Sequence, residues 1–124
     1  MVDMDTALLA RAWIEEHKNH REGGAAERGW GYKTLNKLVD VDPSAALSAI
    51  EYICKLDSSD PIMEVLAAGP VEDLLSRHGH AVGDQLVLAA AANPTFRELL
   101  GGVWRGSIAD EIWRKVEKLR SSRW

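Results

Sequence analysis

Three dipeptides divide this chain before any other signal is needed: Asp42-Pro43, Asp60-Pro61 and Asn93-Pro94. An Asp or Asn oxygen accepts from the orphan N–H groups of a helix start. Proline fits the first helical position, because its missing N–H would be unpaired there anyway. Each pair therefore predicts a helix beginning. A fourth proline follows Gly69 in AAGPVEDLL. That stretch reads as a corner between two helices, with Gly69 left-handed after the first and Pro70 opening the second. RGSIADE predicts a fifth start, with Ser107 as the cap and Asp110 three residues on, an acidic variant of the capping box.

Between these marks the apolar residues recur with a period close to that of an α-helix. Ala46, Ala49, Ile50, Ile53 and Leu56 form one stripe, and Leu47 and Cys54 begin a second beside it. A helix apolar on two flanks packs between two neighbours. Val71, Leu74, Leu75 and His78 form another stripe. Ile108, Ile112, Val116 and Leu119 form the last, with Glu111 and Lys115 spaced to pair on its outer side. Leu9 and Trp13 belong to a helix starting near Asp5, and GWGYKTLNKLV to one ending near Asp40. Alternation of period two never persists, so no strand is predicted. NHREGGAAERG, residues 19–29, reads as a flexible segment. The expected fold is a single all-α domain over residues 1–124. It has seven or eight short helices, arranged as HEAT-like stacked pairs or as an irregular bundle. Unequal spacing of the helix starts argues against a strict repeat.

Composition narrows the functions. A chain of 124 residues supports one domain with a real core. A net charge of −4 offers no footprint for nucleic acid, and no apolar run is long enough to span a membrane. The lone Cys54 rules out an intrachain disulfide and suits a reducing compartment. Acids stand where an export signal would carry basic residues, so a cytoplasmic location is expected. Five tryptophans against one phenylalanine draw attention to where the indoles lie.

Several residues invite a chemical reading. Glu72 and Asp73 resemble a pair of catalytic carboxylates, but after Pro70 they fall in a first helical turn. There they favour the helix dipole, and Asp73 faces Arg77 four residues on. His78 continues a core stripe, and His80 lies past Gly79, read as the end of that helix. His17 and His20 have a spacing that can hold a metal, but lack the acids or cysteines that would make it specific. A zinc site from His17, His20, His78 and His80 is the weak alternative; neither a metal nor a cofactor is expected. Cys54 reads as a small buried hydrophobe. In RELLGGVWRGSIADEIW, Gly101 and Gly102 either end a helix or allow another backbone to approach closely. Phe96, Leu99, Leu100, Val103 and Trp104 keep helical phase across them, which favours close approach. Trp104 then falls at the edge of the apolar face, beside Arg105. Tryptophan and arginine are the types enriched at binding hot spots. Trp113 reads as core.

The segments DPSAALSAI, LAAGPVEDLLSRHG and NPTFRELLGGVWR resemble a family of small bacterial domains of unknown function. Its pattern has an Asp-Pro helix start, then Ala-Gly-Pro-Leu-Glu-Asp-Leu-Leu. An Asp-Pro-Arg-Phe-Arg stretch follows, leading into Leu-Gly-Gly-Val-Trp. The similarity covers roughly residues 30–115. The chain departs from the pattern at Val71, Asn93 and Thr95, and in its alanine-rich VLAAAAN. The resemblance implies an all-α fold and carries no catalytic residues with it.

The expected function is non-enzymatic binding of another protein, with Trp104, Arg105, Glu72, Asp73 and Arg77 as the partner-binding residues. The concrete form is a small inhibitor, such as an immunity protein neutralising a toxin. A phage inhibitor of a host defence complex is the runner-up, and a small metal-dependent hydrolase is the competitor from another class. The fold expectation is directly measurable. Far-ultraviolet circular dichroism should be helix-dominated, and a strand content above about one fifth, the ordinary level, would overturn it.

Overall fold

A computed structural model describes residues 4–23 and 29–120. The described residues form seven α-helices and no strand, so the all-α expectation holds. They are α1 (Met4–Gly23), α2 (Trp30–Val41), α3 (Pro43–Leu56), α4 (Asp60–Leu66), α5 (Glu72–Ala92), α6 (Pro94–Leu100) and α7 (Asp110–Leu119). Two of them are long rather than short, α1 with 20 residues and α5 with 21. Of the segment expected to be flexible, residues 19–23 continue α1, and 24–28 lie outside the described residues.

Two of the three Asx-Pro starts behave as expected. Asp42 accepts from the Ala45 N–H at 3.2 Å, and Asn93 from Thr95 and Phe96 at 3.0 and 3.4 Å. At the third, the cap falls one residue earlier, on Ser59, and Asp60 is the first helical residue. The start of α2 uses a borrowed cap. Glu16 of α1 accepts from the Gly31 and Tyr32 N–H groups at 2.9 and 3.0 Å. Gly31 is needed there, because a Cβ would stand 2.7 Å from the Trp13 backbone nitrogen.

Helix α3 occupies the centre. Ala46, Leu47, Ala49, Ile50, Ile53 and Cys54 are all buried, as its two flanks predicted. Leu56, expected to end the first stripe in the last turn, is instead 42% exposed. It meets α1, α2, α5 and α6, and α1 also meets α4. In a solenoid each unit would touch only its neighbours along the chain. Contacts between such distant helices make this an irregular bundle. Lys18 of α1 is pinned to Asp57 at the end of α3, 3.1 Å apart.

The Gly69-Pro70 corner is not a corner. Residues Ala67–Val71 form a π-helical turn that joins α4 to α5 without a break in helical backbone. Gly69 is not left-handed; among the described residues the positive-φ glycine is Gly106. Proline lacks an N–H and its ring collides with the carbonyl four residues back. One extra residue in the turn widens it, and the chain passes Pro70 while staying helical. Further on, α5 bends at His78 (φ −134°, ψ 26°) and then continues. Gly79 is therefore inside the helix rather than at its end. Its role is contact: a Cβ there would lie 2.9 Å from Ile112 Cγ1 of α7. His80, expected beyond the helix, lies within α5 as well.

The second glycine pair works the other way. Helix α6 stops at Leu100, with Gly101 as its cap and a turn over 101–102. Helical phase does not continue into Val103, although Val103 is buried. Helix α7 starts at Asp110 after Ala109, without a side-chain cap, so Ser107 does not cap it. Glu111 and Lys115 turn to α5, Glu111 lying 3.5 Å from His80 and Lys115 4.0 Å from Asp84.

Two substitutions test this packing. Leu74 is fully buried, and Leu74→Ala should cost roughly 2–5 kcal/mol in denaturant unfolding. Gly79→Ala should destabilise by about 1–3 kcal/mol through overpacking, although alanine is the better helix former by about 1 kcal/mol. The loss should shrink in an Ile112→Ala background. A stabilising Gly79→Ala would refute the close α5–α7 seam.

Candidate functional site

The π turn, the end of α6 and the chain beyond it converge on one groove. Glu64 and Ala68, one helical turn apart, form one wall, and Gly101, Gly102, Trp104 and Arg120 complete it. Its volume is about 400 Å³. Trp104 sits on its rim in irregular chain, 78% exposed. Glu72, a turn beyond Ala68, reaches the same loop: its Oε1 is 3.7 Å from where a Cβ on Gly106 would stand. The groove already contains one cation. Arg120 donates to the Gly101 carbonyl at 2.6 Å and lies over the Trp113 ring, 5.3 Å from its centroid. Trp113 is packed against the core as expected, but only partly buried.

The other residues singled out by sequence lie elsewhere or are engaged. Arg105 forms an ion pair with Asp110 at the start of α7. Arg77 donates to Asp40 of α2 at 2.9 Å, and that carboxylate, with Asp73 adding to it, raises the guanidinium pKa. The expected Asp73–Arg77 pair is thus secondary to a bond between helices. Trp104 and Glu72 are brought to one loop; Arg77 is directed to α2 instead.

The histidines stand at separate places. His17 stacks on Trp13, ring centroids 3.7 Å apart, and donates from Nδ1 to the Trp13 carbonyl at 2.8 Å. His78 lies 3.9 Å from Asp40, and His80 faces Glu111. The side chain of His20 lies outside the described residues. Among the described residues, no group of three or more His, Cys, Asp or Glu side chains could hold a metal. Burial, with the Glu51 charge adding to it, pushes the Cys54 thiol up to about 12, which suits an inert core residue.

A second concavity, about 360 Å³, went unread in the sequence. It lies between α1 and α2, lined by Leu8, Leu9, Trp30, Leu38 and Ala45 among others. Trp30 is 55% exposed there. The dipeptide Gly29-Trp30 at a helix start was the available signal, since a ring at a first turn has little chain before it to cover it. Among the described residues, no helix is long and apolar enough to cross a membrane.

The fold and this groove define a class: a small all-α bundle presenting an exposed indole beside a polar cleft. Residues 17–124 match the family of unknown function DUF6869, and the chain belongs to that family. The match extends beyond the 30–115 stretch that carried the resemblance. No curated protein and no solved structure matches the chain.

One partly buried carboxylate outside the groove gives a pH test. Desolvation raises the Glu51 pKa above its ordinary 4.5, outweighing the pull of Lys55. Below that ordinary value, folded and unfolded chains are both protonated and nothing is lost. As pH rises through the raised folded value, the folded state holds the charge less well than the unfolded chain, and stability falls. Glu51→Gln should therefore raise the melting temperature at pH 7 and change it little at pH 3.5, about a unit under that ordinary value. An equal effect at both would show that charge burial is not the cause.

Proposed function

We propose that this protein is a non-enzymatic binding domain for another protein, and that the groove beside Trp104 is its contact surface. The observation that carries the reading is the indole of Trp104, 78% exposed on the rim of a cleft of about 400 Å³. A large ring held in water beside a cleft contributes little to the bundle and much to a partner that covers it. Glu72 reaches the same loop and extends the surface. Arg105 contributes through Asp110, which fixes the loop that carries Trp104.

Within this class the reading is an inhibitor that works by covering its target, such as an immunity protein bound to a toxin. A net charge of −4 suits a basic target surface, where opposite charge speeds encounter. An inhibitor of a defence complex would use the same surface against a nucleic-acid-binding subunit. A cytoplasmic location belongs with either form.

The test compares Trp104→Ala and Arg105→Ala with wild type, for melting temperature and for affinity to a partner recovered by pull-down. Loss of a hot-spot ring costs about 2 kcal/mol or more of binding, around thirtyfold in affinity, while folding should change little. A Trp104→Ala protein that unfolds, or that binds as wild type does, would overturn the reading.

A further inference from the structure

We infer that the Trp104 groove receives a basic side chain, an arginine presented by the partner; the inference rests on the protein-binding reading and names its chemistry. The cleft already shows how a guanidinium is held here. Arg120 donates to a backbone carbonyl, that of Gly101, and lies over an aromatic ring, that of Trp113. One arm of its fork and its ring partner are thereby engaged within the chain. A second ring, with a carboxylate in place of the carbonyl, remains on the open side. Trp104 offers an exposed indole face, and Glu64 lines the same cleft. Glu72 adds a second carboxylate at the adjoining loop. Neither Glu64 nor Glu72 has an ion-pair or hydrogen-bonding side-chain partner among the described residues.

Glu64 in the cleft and Glu72 beside it set two carboxylates against the one guanidinium of Arg120, so the cleft together with its adjoining loop is net negative. Electrostatics therefore favours a cation over an acid, and the indole face adds a cation–π contribution. The guanidinium is preferred to an ammonium because its plane stacks on an indole while its edge donates to a carboxylate. An acidic side chain would have only Arg120 to meet and two carboxylates to avoid. An apolar one would leave both carboxylates facing low-dielectric surface.

The experiment needs no partner. Isotope-labelled protein is titrated with N-acetyl-arginine methylamide, following the Trp104 indole N–H and the Gly102 amide by nuclear magnetic resonance. N-acetyl-citrulline methylamide, the uncharged isostere, and N-acetyl-aspartate methylamide are the comparisons. Arginine should give saturable shifts at both signals, in the millimolar range and weaker at high salt. Glu64→Gln should weaken the arginine response about threefold, the scale of one exposed charge contact. Trp104→Ala, read at Gly102, should abolish it. Glu64 is exposed, so its variant keeps the test decisive even if Trp104→Ala fails to fold. Equal shifts with citrulline, larger shifts with aspartate, or no shift at either signal would overturn the inference. A pulled-down partner that needs Trp104, together with a silent arginine titration, would sink this inference and leave the binding reading standing. An arginine response with no Trp104-dependent partner would do the reverse.

Discussion

Helix α3 is apolar on two flanks, and α1, α2, α5 and α6 all reach it. Each fully buried Leu or Ile gains roughly 1.5–3 kcal/mol over its exposed state. No one neighbour can cover both flanks, so the chain must return to α3 from several directions. That requirement sets the lengths elsewhere. Helix α1 is long enough to contact α2, α3 and α4, and its Glu16 caps α2 on the way. Helix α5 is long enough to pack on α3 and also to carry α7 along its other side. Glycine at 79 lets α7 approach closely enough for Ile112 to seat against the α5 backbone.

The groove follows from the same geometry. Because α4 passes into α5 through a π turn, Glu64, Ala68 and Glu72 succeed one another on one helical run rather than on two helices meeting at an angle. A true corner at Gly69-Pro70 would have sent Glu64 and Glu72 in different directions. Helix α6 ends at Leu100, and the chain then turns through Gly101 and Gly102 past Ala68 with Trp104 on its outer edge. The π turn and the glycine pair are thus the two irregularities that build the cleft. Irregular helical turns of this kind recur at functional positions.

Signals that depend on one residue's own chemistry were legible in the sequence. Asp42 and Asn93 cap helices because their side chains reach N–H groups two or three positions on, and that spacing is local. The stripes of α3 and α7 were largely legible for the same reason, although Leu56 is exposed and Ile108 reaches the core from the chain before α7. Signals that depend on which way the chain turns were not. Gly69-Pro70 and Gly79 carry the residue types of helix ends, yet tertiary packing keeps both inside helices, since breaking there would expose Val71, Leu74, Leu75 and Val82. At Gly101-Gly102 the same ambiguity resolved the opposite way, because Val103 and Ile108 reach the core without a helix between them. Partners distant in sequence were also hidden: Arg77 chose Asp40, thirty-seven residues away, over Asp73. Asn93 shows a finer effect. Its oxygen caps α6, while its Nδ2 is buried without a partner among the described residues. An aspartate, which the related pattern carries there, has no such donor to leave unpaired.

The tryptophans separate what folding requires from what it does not. Trp13 is 1% exposed and supplies the floor on which His17 stacks. Trp113 is partly buried and holds Arg120. Removing either would cost contacts that the bundle uses. Trp104 is different. Its neighbours are Gly101, Gly102 and Gly106, which have no side chain to cover it, and Arg105, which is turned to Asp110. An indole left in water forfeits most of the burial energy that makes tryptophan useful to a core. A serine or glutamate at 104 would serve the fold as well and keep the surface more soluble. The loop itself needs no ring there, since Val103 and Ile108 already anchor it on either side. What a ring at 104 supplies, and a small polar residue cannot, is a broad face for something outside the chain to lie against.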